Sequence, residues 1–428
     1  MSKEEDRVSR HGIGMLPLAR TGALLRTALL AVSTASVLAL TAGVGHAADI
    51  TFFMGPYSAS TPASMQTMVA NFQKANPGDT VSYQSAPWDS YDQKIGTAAK
   101  SGQGPGLAME YTFGKYVSDN LLRPIKDWVP QSLQDDIIPV FLAPGQGYAV
   151  PDLASVRGIF FNTDLLTAAG ITGRPGTFDD LTAALVAIQK SKPGITPLGF
   201  VSTTDDIAPS YSYYLFGEGG AWIDDKGKYL INSKESVAAM TYLKDLYDKK
   251  LLEQDVTADR GKQEERFQAG QTAILPTGNF FVTTLQKNVP NLKYAVGALP
   301  HLASVKPFAV AVTDYFLAFD QRDADKNKAS ADLASFIFQP DNYVPWLVAD
   351  GFLPVTKSAA DAYRKAAPNM AVFLDNLQSA KLYPSGDTRW AQVVTIMSQT
   401  VQSILLGRTS VQDGLNSAQS QIDALQTS

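Results

Sequence analysis

Cysteine is absent from all 428 residues, and histidine occurs three times, at His11, His46 and His301. The missing cysteines exclude a thiol nucleophile, a thiolate metal site and the lipid attachment that a lipoprotein makes at a Cys after its leader. Of the histidines, His11 and His46 lie in a leader-like segment, so a His-rich zinc site is excluded. Any Ser-His-Asp machinery would rest on His301 alone, and Leu299-Pro300-His301 reads as a solvated loop. Carboxylate pairs such as Asp179 and Asp180 suit glycosidase chemistry in principle, but Thr177-Phe178-Asp179-Asp180 reads better as a helix start, with Thr177 capping and Asp180 answering from N3.

Residues 27–44 are apolar, follow Arg20 and Arg26, and lead into Gly45-His46-Ala47-Ala48. A basic region, an apolar centre and small residues at −3 and −1 make a secretory signal peptide over residues 1–47, cut after Ala47. Met15 is an alternative start, and Ala48 an alternative last residue removed. The run is short for a membrane anchor, rich in Ser, Thr and Ala, and lacks a basic stop-transfer flank. The exported chain is expected to be periplasmic and free of a lipid anchor. Export permits disulfides without requiring them, since a body of this size buries enough apolar surface on its own.

Removing the leader takes five basic and three acidic residues with it, leaving 31 basic against 38 acidic, a net −7 over 381 residues. That balance argues against nucleic acid and against an anionic membrane as partner. The length suits two lobes of ordinary size.

Strand-like and helix-like segments alternate through this body, the pattern of an α/β fold. Residues 50–54 read as a first strand, followed by Pro62 at a helix start and by Met65, Met68, Val69 and Phe72 on one helical face, ending at Asn76-Pro77-Gly78. Residues 81–84 resume as strand, residues 90–100 as helix, and Leu107-Ala108-Met109 as strand. Residues 156–161 and 316–319 read as further strands. Phe178, Leu181, Leu185 and Ile188 share a helical face, Asn232 with Glu235 opens the next helix, and residues 329–338 form another. From Trp390 onward the chain reads as helical, interrupted at Leu406-Gly407-Arg408-Thr409-Ser410 by a glycine stop and a new cap. Open sheets of this kind bind ligands at the carboxyl ends of their strands.

Several segments resemble, in order, the extracellular solute-binding proteins of bacterial ABC importers, in their sugar-binding, maltose-binding-protein-like group. Residues 72–81 and Trp88-Asp89-Ser90-Tyr91 are similar to the family's opening. Tyr148-Ala149-Val150-Pro151, Gly158-Ile159-Phe160-Phe161-Asn162 and Thr177-Phe178-Asp179-Asp180-Leu181 match its central block most specifically. Residues 267–274, Gly278-Asn279-Phe280, Gly351-Phe352-Leu353-Pro354-Val355 and residues 390–415 extend the likeness over essentially the whole body. Two departures stand out: Gly104-Pro105-Gly106 replaces the family's Gly-x-Pro-Asp, and Phe280 takes a Trp place.

The resemblance implies a type II periplasmic-binding-protein fold, two α/β lobes joined by hinge strands with the ligand cleft between them. The N-terminal lobe would take 48–152 plus 314–356 and the C-terminal lobe 157–307 plus 368–428, with crossings near 153–157, 308–313 and 357–368. It also implies a monomeric, non-enzymatic receptor that binds a carbohydrate or polyol and delivers it to inner-membrane permease subunits, with no cofactor and no metal. A sugar needs hydroxyl partners and aromatic faces together. The resemblance places Tyr57, Trp88, Asp89, Glu110, Tyr111, Asp152, Arg157, Tyr211, Tyr213, Asn279, Phe280, Asp314, Tyr315, Arg389 and Trp390 at the cleft. Trp88, Tyr211, Tyr213 and Phe280 are equally readable as core aromatics. Arg157 and Asp314 either reach ligand or pair with each other across the hinge. Trp128 and Trp346 read as packing residues, and Trp222 is open. A secreted hydrolase with two cleft carboxylates, or a receptor for a phosphorylated polyol, are the alternatives. The latter would want clustered cations, and only Arg157 and Arg389 are candidates.

Overall fold

The computed structural model describes residues 48–145 and 147–425, the side chains of Asp89, Ala143 and Gln378 excepted. The expected leader and its cut lie outside the described residues. No helix among the described residues is long and apolar enough to cross a membrane.

The strands are β1 (Asp49–Phe53), β2 (Thr80–Gln84), β3 (Leu107–Glu110), β4 (Ala149–Asn162), β5 (Thr196–Leu198), β6 (Thr272–Gly278), β7 (Tyr294–Gly297), β8 (Ala309–Leu317) and β9 (Ala380–Lys381). They run in the order β2-β1-β3-β8-β4-β6-β5, with β7 also on β4 and β9 on β8. The first β-α-β step shows how the sequence builds this. Pro62 sits in the first turn of the helix Thr61–Ala75, where its missing N–H costs nothing, and Met65, Met68, Val69 and Phe72 turn one stripe inward. The chain then returns as β2, parallel to β1.

β4 organises the molecule. Its first part pairs antiparallel with β8 from Ala149 to Val156, and its second part pairs with β6 from Arg157 to Phe161. One strand therefore leaves one sheet and enters another between Val156 and Arg157. All fourteen of its residues are buried, including the polar Asp152, Ser155, Arg157 and Asn162.

Two hydrophobic cores lie on this frame, giving the two-lobe α/β architecture. One gathers Phe52, Phe72, Phe316 and Trp346. The other gathers Phe178, Leu185, Met240, Leu243, Val401 and Leu415. Met370, Phe373, Leu374 and Leu377, expected with the second lobe, share the first cluster, as does Phe160 from the far half of β4. Trp128 and Trp346 are buried packing residues, and Trp222 joins the second core with its Nε1 donating to Ser212 at 2.7 Å.

Local signals act largely as read. Thr177 caps the helix Phe178–Ser191 by accepting from Asp180 N. Gly407, at φ +69, ends the helix Trp390–Leu405, and the Ser410 side chain caps Val411–Asp423. Two boundaries differ. The helix Lys234–Asp248 is capped by Ser233, whose hydroxyl accepts from Ser236 N at 3.2 Å, while Asn232 lies one residue before it and donates its Nδ2 to Asn416 at 3.1 Å. β8 begins at Ala309 and ends at Leu317, because pairing with β4 recruits residues before the apolar run. His301 forms an isolated bridge with Thr177, and its Nδ1 lies 2.8 Å from Leu302 O.

Candidate functional site

The site is built where β4 passes from one sheet to the other. The β4–β8 register shifts between Pro151 and Leu153, so Asp152 is the extra residue of an irregularity in the ladder. Such irregularities re-aim a side chain. Here Asp152 comes beside Asp314 of β8, and the Tyr57 hydroxyl spans the two, 3.2 Å from Asp152 Oδ2 and 2.7 Å from Asp314 Oδ2. One phenol proton serves two carboxyls. Burial, then the neighbouring Asp314 charge, raises the Asp152 carboxyl well above its ordinary range. Asp152 Oδ1 meets no donor in hydrogen-bond geometry.

Tyr57 follows β1, and its ring leans on Trp88 at 5.6 Å and on Phe352 at 5.0 Å. Gly55 permits this, since a Cβ there would collide with the Trp88 ring. Trp88 opens the helix Trp88–Lys100 and is 40% exposed; Tyr111, 6.4 Å from it and edge-on, is 38% exposed. Nearby, fully buried Glu110 at the end of β3 accepts from the Tyr116 hydroxyl at 3.0 Å, while Tyr111 donates to Asp92 at 2.9 Å. Burial, then the Asp92 charge, pushes Glu110 well above its ordinary value.

Across the β4 switch stands a second group. Arg157 is buried and pairs with Asp206 at 2.8 Å. Its guanidinium lies 5.5 Å from the Phe280 ring centroid, and that of Arg260 lies 5.0 Å from the same ring. Arg260 also approaches Asp206 at 3.6 Å. Burial alone would lower the Arg157 pKa, but the Asp206 charge together with Tyr213, Tyr383 and Glu264 outweighs it and raises it. Phe280 packs on Phe352 at 5.6 Å, which in turn packs on Tyr57, so an aromatic bridge joins the two groups. Burial, and then the charges of Arg157, Asp314, Asp206 and Arg260, act on the Tyr383 hydroxyl, so Tyr383 belongs to the same neighbourhood.

The expected site residues are therefore sorted. Tyr57, Trp88, Glu110, Tyr111, Asp152 and Asp314 come together on one wall, with Arg157 and Phe280 facing them from across the switch. Tyr213 is buried with an unpartnered hydroxyl that feels Arg157, Asp206 and Arg260. Tyr315 is buried beside Asp314, its ring 5.1 Å from Phe113. The side chain of Asp89 is outside the described part.

Four expectations are corrected. Asn279 accepts from Val156 N at 2.7 Å and donates to Gly351 O at 2.7 Å, so its amide clamps β4 to a loop and is not left for a ligand. Tyr211 donates into Ser236 and packs on Trp222, inside the second core. Trp390 is buried behind Tyr383, stacked at 5.2 Å, so the less buried partner of that stack is the nearer candidate. Arg389 forks onto Asp387 at 2.7 and 3.0 Å and covers the Tyr229 ring at 4.8 Å, apart from the Arg157 group. Arg157 and Asp314 do not pair with each other either; Asp206 has taken Arg157.

Sequence reasoning missed Asp92, Asp206, Arg260, Phe352 and Tyr383. Asp206 gave a faint signal, an acid just before the apolar helix Ile207–Gly217 with no side-chain cap to make. Arg260 gave none, because it is brought to Phe280 only by the placement of the helix Arg260–Gln268. A separate surface recess of about 580 Å³ between β4 and β7 includes Thr163, Thr167, Gly170 and Arg174. Arg174 there donates its Nη1 to Val296 O at 2.8 Å.

Comparison with known proteins bears on this geometry. The model of the bacterial extracellular solute-binding protein family matches residues 67–372. A binding protein of Brucella abortus (strain 2308) is 28% identical over 400 residues, covering 91% of this chain and 96% of that one. The melibiose/raffinose/stachyose-binding protein MelE of Bacillus subtilis (strain 168) is 28% identical over 243 residues, 54% of this chain and 55% of MelE. Among solved structures, the cyclic alpha-maltosyl-1,6-maltose binding protein from Arthrobacter globiformis shares the fold, with a TM-score of 0.77 at 20% identity over 88% of this chain and 98% of that one. With the two-lobe fold in place and the family's model spanning both of its cores, the chain belongs to the bacterial extracellular solute-binding proteins.

Proposed function

We propose that this protein is the periplasmic receptor of an ABC importer, taking a carbohydrate or polyol between its lobes and handing it to membrane permease subunits as a monomer. The observation that carries the reading is the wall of Tyr57, Trp88, Tyr111, Asp152 and Asp314, where ring faces and hydroxyl-accepting carboxylates converge. That pairing of chemistries is what a sugar asks of a site. The relative from Bacillus subtilis is named for three oligosaccharides and the structural neighbour from Arthrobacter globiformis for a cyclic one, which supports the same class.

In this reading the lobes are 48–152 with 314–356 and 157–307 with 368–428, save that Met370, Phe373, Leu374 and Leu377 pack into the first core, and they turn about β4 and β8 near 153–157 and 308–313, with a further crossing near 357–368. Closure then follows from tighter contact with ligand in the closed form than in the open form. The protein is a carrier and not a catalyst, so a bound sugar leaves chemically unchanged. Export by a cleaved leader delivers it to the periplasm.

Thermal shift of the purified protein over a panel of sugars and polyols tests this, with chromatography of the recovered ligand. A rise in melting temperature with at least one member and an intact ligand is expected. No shift across the panel, or appearance of hydrolysis products, contradicts it.

A further inference from the structure

Gly114 starts the helix Gly114–Ser118 and is buried, yet its own backbone does not ask for glycine, because its φ lies outside the left-handed region. Any L residue could hold that conformation, and most would favour a helix more. What excludes a side chain is Thr388. A Cβ on Gly114 would stand 2.7 Å from Thr388 Cα, 2.9 Å from its Cγ2 and 3.1 Å from its N. Two of those are backbone atoms, so no change of rotamer makes room. The two segments belong to different cores. Phe113 and Tyr116, on either side of Gly114, pack in the first, while Thr388 lies between Tyr383, packed on the second, and Trp390, inside it.

Residues 382–389 form a finger between β9, which runs parallel to β8, and the helix Trp390–Leu405. The finger holds its shape through its own backbone: Ser385 N donates to Tyr383 O at 2.8 Å, Asp387 N to Pro384 O at 3.0 Å and Trp390 N to Asp387 O at 2.9 Å. Ser385 is buried beside the Tyr315 hydroxyl, where its side chain offsets part of the rise in pKa that burial causes. Tyr315 belongs to the first core, so the finger meets that core at Tyr315 and again at Gly114. Both partners of the contact continue into the candidate site. Glu110 and Tyr111 of the wall shortly precede Gly114 on the same stretch of chain, and Tyr383 on the finger shares the neighbourhood of Arg157 and Asp314. A movement that seats the finger on Gly114 therefore also sets how closely Tyr383 and the Arg157 group approach Trp88 and Tyr111.

We propose that Gly114 is the seat on which the finger 382–389 lands when the lobes close, and that the missing side chain at this position sets how far the cleft shuts. The inference rests on the receptor reading for closure itself and concerns only where closure stops. Gly114 is then a positioning residue: it acts on affinity through the approach of the two walls, without touching solute. Closure of this kind is a rigid turn about a few hinge residues, so a prop at one seat holds back the whole movement. A side chain there strains the closed form and leaves the open form unstrained, which shifts the balance between them.

Calorimetric titration and small-angle X-ray scattering test it on wild type, Gly114→Val, the milder Gly114→Ala and a control, Gly96→Ala, with maltose, melibiose, raffinose and sorbitol as probes. A Cβ at Gly96 meets only the Tyr116 hydroxyl, at 3.7 Å, so the control adds a methyl to the same lobe without a clash. Wild type and Gly96→Ala should contract on adding the probe they bind. Gly114→Val should stay expanded and bind it about tenfold or more weakly, and Gly114→Ala should follow in the same direction by a smaller factor, both with ligand-free melting temperatures near that of wild type. Equal affinity or equal contraction in wild type and the Gly114 variants overturns the seat and leaves the receptor reading standing, as does an equal loss in the control. Failure of both Gly114 variants to fold makes the glycine a folding residue and likewise overturns the seat alone. Silence of the wild type with every probe overturns the carbohydrate reading and the seat with it.

Discussion

The two ends of the cleft bury similar numbers of charged groups and treat them in opposite ways. At the Arg157 end each charge has an answer: Arg157 meets Asp206 at 2.8 Å, Arg260 approaches the same carboxylate at 3.6 Å, and both guanidiniums lie on Phe280. At the Tyr57 end, carboxyls stand beside carboxyls, joined by a phenol, with burial holding Glu110 and Asp152 well above their ordinary pKa. Burying charge is tolerated when a partner is built in and is otherwise displaced into protonation. The first end has its charges paired as folded, although Arg157 Nε and Nη1 and the Tyr213 hydroxyl are buried without a hydrogen-bond partner. The second is completed by protons when empty and, in the proposed account, by a ligand when full.

The largest way to break this comparison is to remove the built-in partner. Asp206→Ala leaves the Arg157 charge buried and unpaired, and urea unfolding should show a loss of roughly 3–5 kcal/mol. Arg157→Met combined with Asp206→Leu should recover most of that loss, since a well-packed apolar pair replaces a buried ion pair at little cost.

The opposite sign is expected at the other end. Because the folded pKa of Glu110 is raised, the folded state binds more protons than the unfolded state above the ordinary carboxylate range, near pH 4. Its contribution to stability is fully present below that range and is lost as pH rises through the folded pKa. Glu110→Gln removes the decline, so the variant should exceed wild type by roughly 1–3 kcal/mol near pH 8, the scale of a buried unsatisfied polar group, and the two should converge near pH 4. Melting curves across pH check it; a variant less stable at both ends of the range contradicts it.

The smallest effect sharpens the comparison from outside. Arg389 has a paired carboxylate like Arg157, but the pair is partly solvated. Arg389→Ala should cost under about 1 kcal/mol and leave ligand affinity unchanged, which a parallel melt and titration would show.

The sequence was most informative where local signals decide the structure. The stripe of Met65, Met68, Val69 and Phe72, the Thr177 cap and the glycine stop at Gly407 each act through neighbours in the chain, and all three fold as read. The wall was legible in part, since Trp88 opens a helix, Glu110 closes β3, Tyr111 directly follows it and Tyr57 lies in the loop after β1. What escaped is set by long-range pairing. Asn279 reads like a cleft amide until β4 and Gly351 take both of its polar atoms, and Arg260 acquires a role only when its helix lands beside Phe280. Trp390 reads as a stacking aromatic and does stack, but on Tyr383 from behind. No periodicity encodes which of two stacked rings faces the cleft.

The account centres on the aromatic and acidic wall as the place where solute binds, and Trp88 is its most exposed ring. Calorimetric titration of the tightest ligand against wild type and Trp88→Ala tests that most directly. The account predicts an affinity about tenfold or more weaker in the variant with the melting temperature little changed. Equal affinity in the two proteins would contradict it.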